Sequence, residues 1–178
     1  MWKQVPNLLT IGRIAITPYL FLLMWRRDYP ALLWPFALVG VTDVLDGFLA
    51  RRLHATSRSG AILDPIADKL LLSGTFLVLA LTGAIEGWMA ALVLGRDVLI
   101  LVGAGAVSLA RPGTHFPPSP WGKLSTFVQV VYVMFAMGAL SGIHVAPAVV
   151  ALKWAVAALA VVTLADYAWR TLRAPRTV

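Results

Sequence analysis

The sequence predicts an all-α integral membrane protein, a bundle of six transmembrane helices with both termini in the cytoplasm. Three observations predict it. First, the chain is 60% hydrophobic and only 13% charged, with a mean hydropathy of +0.81; a soluble domain is about half apolar and about a quarter charged. Second, apolar runs approaching the ~20 residues that cross a bilayer recur six times. Third, Lys and Arg gather on alternate connections between those runs.

The runs follow one another in order. The first is Leu8 to Trp25, the second Ala31 to Leu49, the third Ala61 to Leu81 and the fourth Trp88 to Leu109. The fifth, Thr126 to Leu140, is short, and its start is expected nearer Trp121. The sixth is Val145 to Ala168. A bundle of 178 residues leaves no room for a second core, so residues 1–178 are read as one membrane-embedded domain. With the N-terminus inside, the inner loops and tails collect Lys3, Arg51, Arg52, Arg58, Arg111, Lys123, Arg170, Arg173 and Arg176. The outer loops hold Arg26 and Arg27, with Lys153 near an outer end. That asymmetry sets the orientation. The net charge of +7 then marks an inner face that attracts anionic head groups and substrates. Charges dispersed over several loops of one leaflet argue against nucleic acid as a partner. Met1 to Pro6 runs into the first span without a small-residue cleavage pattern, so no cleaved signal is expected. The absence of cysteine removes disulfides and thiolate metal sites.

Four aspartates demand an explanation. The chain has eight acidic residues, and Asp43, Asp46, Asp64 and Asp68 fall between the end of the second run and the start of the third. An ionised carboxylate in hydrocarbon costs roughly 2.5–3.5 kcal/mol on insertion scales, and four together repel one another. A cation held between them removes both penalties, and hard divalent ions prefer oxygen ligands. Asp43 and Asp46 are three apart, Asp64 and Asp68 four apart, so each pair shares a helix face. Two facing pairs suit one or two Mg²⁺-type ions, and two such ions about 3.5–4 Å apart can clamp a phosphoryl group. Gly47 and Ala50 leave a hollow beside them; Gly60 can turn the chain back into the membrane. Pro65 fits either a helix start or a kink.

The run Asp43-Val44-Leu45-Asp46-Gly47-Phe48-Leu49-Ala50-Arg51, followed by Gly60, Asp64 and Asp68, resembles the signature of the CDP-alcohol phosphotransferase (CDP-alcohol phosphatidyltransferase) family, D-x2-D-G-x2-A-R-x8-G-x3-D-x3-D, at all eight specified positions. The resemblance implies metal-dependent transfer of the phosphoalcohol part of a CDP-linked donor to an acceptor hydroxyl, with release of CMP. It implies Mg²⁺ or Mn²⁺, two ions, on Asp43, Asp46, Asp64 and Asp68, with Asp68 also the general base. Gly47, Ala50, Arg51 and Gly60 would form the donor and nucleotide side. The segments Pro6 to Arg13 and Leu63 to Lys69 resemble the phosphatidylglycerophosphate synthase and cardiolipin synthase branch, which implies CDP-diacylglycerol as donor and phospholipid biosynthesis as the role. The implied setting is a bacterial inner membrane with the site near the cytoplasmic face.

Glycerol 3-phosphate is the expected acceptor, with phosphatidylglycerol, the cardiolipin synthase reaction, as the alternative. A dianionic acceptor needs cationic partners, and Arg96, Arg111 and Lys123 form the available set. The blander readings stand beside these. Arg96 and Asp97 can be a structural ion pair; Lys69 can pair with Asp68 or snorkel, and Arg13 can be a helix-end anchor. Gly138-x3-Gly142 is read as intramolecular packing ahead of a dimer seam, which leaves a homodimer open. Asp166 is expected near Arg170, four residues on. The three histidines form no ligand spacing. A divalent-cation or proton transporter is the reading of another class, since intramembrane carboxylates also mark ion paths; clustering of the acids at one face weighs against it.

Overall fold

The computed structural model describes residues 5–53, 60–110 and 119–173. Those residues form six helices and no strand: α1 Val5–Trp25, α2 Tyr29–Leu53, α3 Gly60–Leu81, α4 Gly87–Ala110, α5 Pro120–Leu140 and α6 Ala146–Arg173. The six apolar runs each match one helix. The fifth begins at Pro120, next to the start expected near Trp121, because Pro120 is preset for a first helical turn behind an extended Ser119 (φ −70°, ψ 141°). Pro65 lies inside α3 rather than at its start. Three helical segments, Gly87–Val107, Pro120–Leu140 and Ala146–Thr171, are long and apolar enough to cross a membrane, while Gly12–Trp25 and Tyr29–Gly40 are shorter apolar stretches.

Three short turns lie together at one end of the bundle, and each closes the same way. At Arg27, Gly83 and Gly142 the backbone turns left-handed (φ 58°, 74° and 90°). The next amide then reaches back to a carbonyl five residues earlier: Asp28 to Leu23 (3.0 Å), Ala84 to Leu79 (2.8 Å) and Ile143 to Gly138 (3.0 Å). This 6→1 closure caps helix carbonyls that would otherwise be orphaned. Arg27 is the costly member, because an L side chain is strained there. Its guanidinium donates to the Thr82 carbonyl at 2.5 Å, tying the first turn to the second. Lys153 donates to Glu86 at 2.6 Å, and the Trp88 and Trp154 rings meet tilted at 33° with centroids 5.9 Å apart, bringing α6 to the same end. Gly142 is therefore a helix cap rather than half of a helix seam. A Cβ on Gly138 would meet Ile143 at 3.5 Å, which is the intramolecular packing expected of it.

Among the described residues the largest buried apolar side chains gather in one half, where Thr75 and Thr82 are the buried polar residues. Leu20, Met24, Phe76, Leu79, Met89, Met137 and Val156 fill the half near the short turns. Phe76 and Tyr132 stack there, 6.0 Å between centroids. Towards the other end the buried residues turn polar: Arg13, Arg96, Ser125, Gln129 and Thr163. Leucines and valines face outward along α4, and Trp25, Trp34, Trp88, Trp121, Trp154 and Trp169 are exposed, as expected of a bundle sheathed by lipid with aromatic belts. α1 packs on α2 and α3, α5 on α2 and α6, and α4 on α3 and α6.

Candidate active site

The backbone places Asp43 and Asp46 in the last turns of α2 and Asp64 and Asp68 in the first turns of α3, at the end away from the three short turns. The side chains of Asp43, Asp46 and Asp64, and those of Gly47, Ala50, Arg51 and Gly60, lie outside the described residues; so does Arg111 altogether. The expectation that four carboxylates share one space falls there too. Among the described residues no group of three or more His, Asp or Glu is gathered around a possible ion. Asp68 is the one expected ligand among them. In donor chemistry the aspartate set fits a hard divalent cation, since carboxylate oxygens are the ligands such ions select.

Asp68 is half-exposed and meets Arg13 across the α1–α3 contact, Arg13 Nη1 donating to Asp68 Oδ1. A cavity of about 110 Å³ lies against the pair, walled by Phe36, Val39, Gly40, Leu71, Leu72, Thr126 and Val130. Arg13 can end up buried because a guanidinium in an apolar helix must find an anion, and Asp68 supplies one. The Lys69 side chain is exposed. The ion pair joins residues 55 apart in sequence, so no local periodicity could have revealed it. The only sequence signal was that Arg13, alone in a long apolar run, needed a partner.

A second polar group lies between α3, α4, α5 and α6. Arg96 donates through Nη1 to Asp97 at 2.5 Å, the pairing expected of these neighbours. Ser73 donates to the other Asp97 oxygen at 3.3 Å. Arg96 is only 7% exposed, and its Nε–H has no partner among the described residues. A Cβ on Gly122 would sit 3.7 Å from Arg96 Nη2, so the guanidinium lies beside the first turn of α5, which also carries the exposed Lys123. Asp166 accepts from Arg170 Nε at 3.0 Å, as its spacing predicted. It also accepts from the Ser119 hydroxyl at 2.5 Å, which sequence reasoning missed: Ser119 immediately precedes α5, and its hydroxyl bonds across to α6 and makes no cap bond to its own helix.

The CDP-alcohol phosphatidyltransferase family matches residues 3–165. The chain belongs to this family. The expected family is thereby borne out, and with it membership among phosphatidyltransferases of phospholipid synthesis. The chain is similar to a probable phosphatidylglycerophosphate synthase of Mycobacterium tuberculosis, 35% identical over 96% of this chain and 82% of that one. It is similar to a CDP-diacylglycerol–glycerol-3-phosphate 3-phosphatidyltransferase of Pseudomonas fluorescens, 33% identical over 75% of this chain and 72% of that one. A probable cardiolipin synthase (CMP-forming) of Drosophila melanogaster is 34% identical over 76% of this chain. The chain spans only 47% of the length of that relative.

Proposed function

We propose that this chain transfers the phosphatidyl group of CDP-diacylglycerol to a hydroxyl of glycerol 3-phosphate and releases CMP. The observation that carries this reading is the complete eight-position aspartate motif, Asp43 to Asp68, inside a family match covering residues 3–165. The names of the mycobacterial and pseudomonad relatives support the acceptor.

Asp43, Asp46, Asp64 and Asp68 would hold Mg²⁺ or Mn²⁺, in a set sized for two ions; bound there, the metal supplies charge neutralisation at the pyrophosphate. In the transfer the acceptor oxygen forms a bond to the phosphatidyl phosphorus, the bond from that phosphorus to the CMP oxygen breaks, and the hydroxyl proton passes to Asp68. Asp68 suits this step because its side chain is 43% exposed, and a base must reach the proton it takes. Arg51, Gly47, Ala50 and Gly60 hold the donor. Arg96 and Lys123, with Arg111, hold the acceptor phosphate. The orphaned Arg96 Nε–H supports this part, since a buried donor without a partner favours an anionic ligand.

All six helices span the membrane, with both termini cytoplasmic. Lengths of 21, 25, 22, 24, 21 and 28 residues support it, since ~1.5 Å per residue carries even 21 residues across a ~30 Å hydrocarbon core. The basic residues of the aspartate end support a site on the cytoplasmic face of a bacterial inner membrane. The Drosophila relative's name favours a second reading, with phosphatidylglycerol as acceptor. A panel assay separates the two: purified chain with CDP-diacylglycerol and Mg²⁺ is offered glycerol 3-phosphate, phosphatidylglycerol, serine, inositol or inositol phosphate. CMP release with glycerol 3-phosphate alone is expected. Release with phosphatidylglycerol alone selects the second reading, and release with none of them contradicts both.

A further inference from the structure

We propose that Arg13 is a positioning residue for the transfer: its buried guanidinium holds the Asp68 carboxylate in the orientation from which that carboxylate takes the acceptor proton. The inference rests on the reading of Asp68 as base. What carries it is the asymmetry of the pair. Away from the short-turn surface, a structural ion pair in a membrane bundle gains from burying both partners, because each charge is costly in hydrocarbon; Arg96–Asp97 does so, at 7% and 16% exposed. Here the Arg13 side chain is 6% exposed and the Asp68 side chain 43% exposed. The cation is locked in the protein while the anion keeps an open face.

Arg13 is itself fixed. It projects from α1 into the contact with α3, borders the 110 Å³ cavity, and sits on a turn whose carbonyl accepts the Thr17 hydroxyl at 2.7 Å. A guanidinium is a planar, always-charged fork, so it sets the direction of a carboxylate as well as its distance. An ammonium at the same position keeps the charge and loses the fork. Asp68 is reached from a helix other than its own, so its alignment depends on the α1–α3 packing.

The test uses the full chain in proteoliposomes with CDP-diacylglycerol, glycerol 3-phosphate and saturating Mg²⁺. Arg13→Gln is expected to lower kcat by about 10²-fold, the scale of a ~1 Å misplacement of a reacting group, and to leave the donor KM within roughly threefold. Arg13→Lys is expected to recover roughly a tenth of wild-type kcat. In an Asp68→Asn background, Arg13→Gln should cost nothing further, since the group it positions is gone. Wild-type kcat in Arg13→Gln, a donor KM raised in step with a lost kcat, or a full additional loss in the Asp68→Asn background overturns the inference. If Arg13→Gln fails to fold, Arg13→Lys decides alone: lowered kcat at unchanged donor KM supports the role, and wild-type kcat overturns it. An Asp68→Asn variant that still turns over would instead remove the reading of Asp68 as base.

Discussion

Gly74→Ala tests how tightly the candidate site depends on the α1–α3 contact. A Cβ on Gly74 would lie 2.3 Å from Phe21 Cζ and 2.9 Å from Phe21 Cε2. Ordinary van der Waals contact begins at 3.4 Å, so the ring or the helices must yield by 3.4 − 2.3 = 1.1 Å. Overpacking of this kind costs about 1–3 kcal/mol. The same contact carries the Arg13–Asp68 pair, so separation of α1 from α3 loosens the carboxylate, and a ~1 Å misplacement can cost 10²-fold in rate. The assay is paired: thermal unfolding in detergent, and CMP release in proteoliposomes. Gly74→Ala should lower both Tm and kcat. Adding Phe21→Leu, which removes the ring the new methyl strikes, should restore much of each. A variant with wild-type Tm and kcat would refute the reasoning, since the ring would then have swung aside without moving the helices.

Asp68→Asn should retain donor binding and lose transfer by at least about 10²-fold, because an amide cannot accept the proton; steady-state kinetics with CDP-diacylglycerol check it. Lys123 is exposed, so Lys123→Ala should fold normally and raise the acceptor KM by roughly tenfold, the worth of one charge-assisted hydrogen bond of ~1.5 kcal/mol, while leaving the donor KM near wild type. Arg96→Ala should destabilise the fold by about 3–5 kcal/mol in detergent unfolding, since it strands Asp97 in a partly buried site. The hydrogen bond from Lys153, above all, holds the Glu86 carboxyl below its ordinary pKa. Its stabilising contribution is therefore full above the ordinary carboxylate value and disappears as pH falls through the lowered one. Being at the surface, the pair is worth no more than ~1 kcal/mol; Tm measured from pH 7 downward should fall slightly less steeply in Glu86→Gln than in wild type.

The helices were legible because a bilayer imposes length and apolarity, and each of the six runs carried that signature to within a few residues of its helix. Turn chemistry was missed: Gly142 was read with Gly138 as helix packing yet supplies a left-handed cap, and Arg27, whose left-handed backbone is tied to Thr82, carries no glycine to announce its turn. The aspartate motif stood out in the sequence because four like charges in apolar surroundings call for a bound cation; of the four side chains only Asp68 is among the described residues. What periodicity cannot carry is the meeting of distant helices. Arg96–Asp97 and Asp166–Arg170 are local and were expected. Arg13–Asp68 and Ser119–Asp166 join residues 55 and 47 apart in sequence, and only packing brings them together.

The transfer chemistry requires that carboxylates from α2 and α3 share one site for divalent ions. Mn²⁺ binding to the purified full chain, followed by electron paramagnetic resonance, tests this most directly. Saturable binding lost on Asp43→Asn and equally on Asp64→Asn, with CMP release lost in the same two variants, is the predicted result. Mn²⁺ binding that survives either substitution alone would contradict the shared site and the transfer chemistry built on it.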